Sequence, residues 1–145
     1  ERAAPAVADD PDAIASEAVE ARMIKARSLL AMSRRKDAFK CFEELSAYPK
    51  TKEGAEASYL IIQDLFDKGD FQAVQDKVYA FSDSGTSQQF WLAKAFIVLG
   101  DAFAEQGKLK QAKATFQSIA DGYDSSEEIN SEVKLRLDKL NSMNL

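Results

Sequence analysis

Phe96-Ile97-Val98-Leu99-Gly100-Asp101-Ala102-Phe103, followed after Gly107 by Ala112-Lys113-Ala114-Thr115-Phe116, is the stretch that decides the fold. Its apolar residues recur at helical spacing on both sides of a single glycine, and Gly107 accepts the left-handed backbone that ends one helix and frees the next to begin. The stretch therefore reads as a helix reaching about 106, a turn, and a second helix over about 108–120 that faces Leu109, Ala112, Phe116 and Ile119 inward. Gly100, bare of a side chain, lets the two helices approach closely where they cross.

The same punctuation recurs along the chain. A first helix is expected from Pro11, with Asp10 as its cap and Ala15, Val19, Met23, Ala26 and Leu30 as its apolar set, ending around Ser33. A second over about 36–48 carries Ala38, Phe42 and Leu45 on one face and stops at Pro49. The third, about 52–68, closes at Gly69, and Asp70 caps a fourth with the stripe Phe71, Val74, Val78, Phe81. Thr86-Ser87-Gln88-Gln89 reads as a capping box for the fifth helix, and Ser125-Ser126-Glu127-Glu128 as one for a seventh over about 126–143. That last helix sets Ile129, Val133, Leu137 and Leu140 on one side and charged residues on the other. No period-two alternation persists, so the expected class is all-α.

Ala38, Val74 and Ala112 are separated by 36 and 38 residues, and each follows Ser33, Gly69 or Gly107 by five. This internal repeat, with Phe96-x2-Leu99-Gly100-x2-Phe103 and Ala112-x3-Phe116 as its strongest copy, resembles the tetratricopeptide repeat family over about 19–124. The middle copy sets Ser58, Ile61, Ile62 and Leu65 at the corresponding places, and the first copy Arg22, Lys25, Ala26 and Leu29. The resemblance implies a right-handed α-α superhelix of three hairpins, about 13–49, 52–85 and 86–124, closed by a capping helix at 126–143; residues 1–10 ahead of it are expected to be disordered.

It also implies a concave face lined by the first helix of each hairpin, whose usual work is to hold another polypeptide. The partner-binding positions on that face are Met23, Arg27 and Leu30, then Tyr59, Gln63 and Phe66, then Lys94, Ile97 and Asp101, with Glu20, Glu56 and Ala104 beside them. The set lacks the asparagine and lysine clamp of chaperone-tail binders, which argues against a ligand carrying a free C-terminal carboxylate. Tyr59 and Phe66, seven apart, suit either an apolar groove floor or packing on neighbouring helices. Phe90 with Trp91 divides in the same way between repeat packing and a contact patch. The run Leu99 to Leu109 is similar to bacterial tetratricopeptide proteins, cell-envelope members among them, which favours periplasm or envelope over cytoplasm.

Composition narrows the function. The 145 residues carry no histidine, removing the usual general base, the Ser-His and Cys-His nucleophile pairs and most zinc and iron sites, so no enzyme, cofactor or metal is expected. A net charge of -5 with scattered Lys and Arg disfavours nucleic acid. Arg34-Arg35-Lys36 reads as a helix-end charge complement, and Cys41 as a small buried hydrophobe. The acidic loop 121–128 fails the calcium-loop spacing. The longest apolar run, 90–104, falls short of the roughly 20 residues that span a bilayer. Residues 1–12 show neither the basic start nor the apolar core of a signal peptide, and the chain is expected to be the carboxyl-terminal part of a longer one. The expected function is a protein-binding or scaffolding module. The alternative is a spacer or self-associating array whose groove is filled by a neighbouring repeat, its own terminus or a second copy.

Overall fold

The computed structural model describes residues 11–143, with side chains from residue 16 onward. The expected disorder of 1–10, the cap at Asp10 and the inward side chain of Ala15 lie outside the described residues. Among those residues the chain is all-α, with seven helices: α1 (Pro11–Ala31), α2 (Arg35–Leu45), α3 (Lys52–Asp67), α4 (Phe71–Asp83), α5 (Gln89–Glu105), α6 (Leu109–Gly122) and α7 (Glu127–Asn141). Two compact units divide it, Glu1–Ile61 and Ile62–Leu145.

Three of the six connections are one turn used three times. Ser33, Gly69 and Gly107 take φ of 62°, 77° and 77°, the left-handed region that reverses the chain at a helix end. In each, the next residue's N–H reaches back to a carbonyl of the closing turn: Arg34 to Leu29 at 2.8 Å, Asp70 to Leu65 at 3.0 Å, Lys108 to Phe103 at 2.8 Å. The following helix then opens alike, with the N–H of Ala38, Val74 and Ala112 donating to the carbonyls of Arg34, Asp70 and Lys108 at 3.0, 3.1 and 3.0 Å. Those three side chains are 0% exposed. The spacing seen in the sequence is thus a repeated backbone geometry, although only two of the turns use glycine.

In the first unit α1 packs on α2. Val19, Met23, Ala26 and Leu29 meet the face made by Ala38, Cys41, Phe42 and Leu45, all under a tenth exposed. Leu29, at 8%, occupies the inward place expected of Leu30, which is 38% exposed. One residue is about 100° of helix rotation, and the α2 contact selects the Leu29 side. Helix α2 ends at Leu45, before Pro49, because the chain turns at once into the cap of α3: the Thr51 hydroxyl donates to the Tyr48 carbonyl at 2.8 Å and accepts from the Gly54 N–H at 3.0 Å. Gly54 lies against that backbone. A Cβ there would sit 2.7 Å from the Leu45 carbonyl oxygen and closer still to Tyr48.

The second unit is built around α5, which packs against α4, α6 and α7 and buries Ala93, Ala95, Ile97, Val98, Leu99, Gly100, Ala102 and Phe103. Coverage on three sides explains a helix apolar almost all round. Gly100 is the crossing point with α6, where Phe116 is 1% exposed; burying such a ring contributes about 2–3 kcal/mol.

The caps differ in detail from expectation. Asp70 Oδ1 accepts from the Ala73 N–H at 3.2 Å, as read. Thr86 instead makes a tight local turn, its hydroxyl accepting from Gln88, while the Gln89 side chain donates to the Thr86 carbonyl, so α5 starts three residues past the threonine. At α7 the cap is Ser126, which accepts from Ile129 at 3.2 Å, rather than Ser125 paired with Glu128. Among the described residues no helix is long and apolar enough to cross a membrane.

Candidate functional site

The positions that line the first helices separate into buried, paired and exposed groups. Met23 and Ile97 are 2% and 3% exposed. Both are corrected to core residues: on α1 and α5 their angle faces neighbouring helices, and a buried side chain offers a partner no contact. Tyr59, the equivalent residue of the middle copy, is half-buried.

The charged positions are held by adjacent helices. In the first unit Arg27 Nη2 bonds Glu56 Oε1 at 2.9 Å, so two predicted residues of α1 and α3 meet each other. Leu30 and Glu20 are exposed beside them. In the second unit Asp101 receives a two-pronged bond from Arg136 of α7, Nε to Oδ1 at 2.8 Å and Nη2 to Oδ2 at 3.0 Å. Arg136 also donates to the Glu132 carbonyl at 3.0 Å, which fixes the plane of its guanidinium. Two turns back along α5, Lys94 Nζ lies 3.2 Å from Glu128 Oε2 and 3.6 Å from Glu132 Oε2. Lys94 and Asp101 therefore fasten α7 to α5. Gln63, half-buried, donates to Asp67 on its own helix at 3.0 Å.

Phe66 tilts against Phe71 with ring centroids 5.6 Å apart. With Asp101 and Ala104 it lines a groove of about 520 Å³ completed by Leu109, Leu135, Arg136, Lys139, Leu140 and Met143. The α7 contribution was missed because that helix reads as a cap with a wet outer side. The available signal was two large apolar residues on the polar side, Leu135 and Met143, now 70% and 46% exposed. The groove thus has an apolar floor, one ion pair locked in its wall, and Lys139 and Glu105 at its edges. Phe90 and Trp91 stack edge to face at 5.0 Å and are half-buried.

A second groove, about 380 Å³, runs over Leu92, Phe96 and Leu99 between Tyr79 and Tyr123, and none of its lining residues is charged. It shares none of the predicted positions. Comparison with known protein families, characterised proteins and solved structures gives no match.

Proposed function

We propose that this chain is a non-catalytic helical-repeat module of the tetratricopeptide type, which holds a polypeptide partner along the side lined by its first helices. One observation carries the reading: the turn at Ser33, Gly69 and Gly107, with the same backbone bonds and the same buried residue five positions on, recurs three times. A unit of that kind buries its apolar faces by stacking on its neighbours, and the arrangement proposed is a right-handed superhelix of three hairpins with α7 as its cap. The groove at Phe66, Ala104, Leu135 and Met143 is the proposed seat for the partner, because large apolar groups stand there beside edge charges. The phrasing of Leu99 to Leu109 supports a bacterial envelope setting.

A spacer role, with the groove filled from within, draws on a specific observation too, namely that α7 already holds Lys94 and Asp101. One experiment separates the two readings. Proteins retained from bacterial lysate by the wild type are compared with those retained by Leu135→Asp, Met143→Asp, both solvent-facing changes that leave the core intact. The binding reading expects specific proteins to disappear from the variant's set. Identical sets would leave the spacer.

A further inference from the structure

We propose that the uncharged groove over Leu92 and Phe96 is a second docking site, one that takes an uncharged, proline-rich segment of another polypeptide in the polyproline II conformation. Helices α4 and α6 each pack on α5 and not on one another, so a strip of α5 is left as the floor of a trough between them. Leu92 and Phe96 are half-buried there, and Tyr79 of α4 and Tyr123 at the end of α6 stand as its walls. The trough shares no residue with the groove at Leu135 and Met143.

Two properties of the lining select the occupant. Charged residues make up 30% of the chain, yet none of the twelve lining residues is charged. A Lys, Arg, Asp or Glu side chain laid into the trough would lose water and meet no opposite charge, so the segment it accepts is uncharged. The second property is a set of free donors. The Thr115 hydroxyl is taken by the Gln111 carbonyl and the Gln89 amide by the Thr86 carbonyl, whereas the hydroxyls of Tyr79, Ser118 and Tyr123 bond no protein group among the described residues. Three such hydroxyls suit a backbone whose carbonyls are open. A helix uses its carbonyls internally, and no strand among the described residues offers an edge to an extended chain. A polyproline II segment has no internal hydrogen bonds and its prolines no N–H, so it brings acceptors and lays its rings on Tyr and Phe faces. A small apolar molecule fits less well, because small-molecule sites enclose about 70–90% of their ligand and this trough is open along Tyr79, Ala114 and Ser118, all exposed.

Amide NMR titration of the 145-residue chain with a capped Pro-Pro-Ala repeat of about nine residues tests it. Saturating shifts confined to the surroundings of Leu92, Phe96 and Tyr123 are expected. Ser118→Trp, an exposed position from which the added ring fills the trough, abolishes them with an unchanged helical spectrum. Tyr79→Phe and Tyr123→Phe, which remove only a hydroxyl, each weaken binding about fivefold. The same peptide with glycine for every proline, which keeps the carbonyls and loses the preformed conformation, binds about tenfold more weakly. No saturating shift, equal binding of the glycine peptide, or tighter binding in the trough by the neutral ring compound indole would overturn the proposal.

Discussion

Gly100 and Phe116 occupy one space: a Cβ on residue 100 would stand 2.6 Å from Phe116 Cζ and closer still to Cε1. The glycine brings α5 and α6 together, and the ring fills the volume it leaves. At the equivalent places the first copy has Ala26 with Phe42 and the middle copy Ile62 with Val78, so a larger residue on the first helix goes with a smaller one on the second. Gly100→Leu is expected to lower stability by about 3 kcal/mol in urea denaturation. Gly100→Ile and Phe116→Val should each destabilise singly, and together, copying the middle pair, by at least ~1 kcal/mol less than their sum. Additive losses would show that the two residues do not share this contact.

Gly54 meets backbone, which cannot swing aside. Gly54→Ala is expected to cost about 2 kcal/mol although alanine is the better helix former, whereas Gly122→Ala, with nothing within 4 Å of its added Cβ, should gain about 0.5 kcal/mol. Chemical denaturation of the pair measures both, and equal effects would refute the close approach to Tyr48.

The three left-handed turns predict opposite signs for opposite substitutions. Ser33 holds φ 62° with a side chain in place, so Ser33→Gly should stabilise by about 1 kcal/mol. Gly69→Ala and Gly107→Ala, at φ 77°, should each destabilise by about that amount. Thermal melts of the three single variants check the signs.

Asp101 and Arg136 are each less than a third exposed and joined at two points. Asp101→Asn is expected to cost about 1 kcal/mol and to reduce the salt sensitivity of unfolding. Arg136→Lys should behave like the loss of the pair, because an ammonium cannot present two parallel donors. Denaturation midpoints at low and high salt decide this; a lysine variant as stable as the parent would mean that charge alone matters.

Helix number, the turn positions and the repeat were all legible in the sequence, because each is written in neighbouring residues. A glycine or serine after an apolar period, an aspartate before the next one and an alanine or valine five places on specify a turn by local sterics and hydrogen bonding. Gly100 was legible for a related reason, since a bare residue in the middle of an apolar helix has few uses besides a close crossing. Tertiary structure alone decided which side of each helix is covered. Leu29 rather than Leu30 faces α2, Met23 and Ile97 belong to the core, Lys94 and Asp101 hold α7, and Leu135 stands in water. Those outcomes depend on the angle and distance at which another helix arrives. A rotation of one residue exchanges inside for outside without altering any local signal.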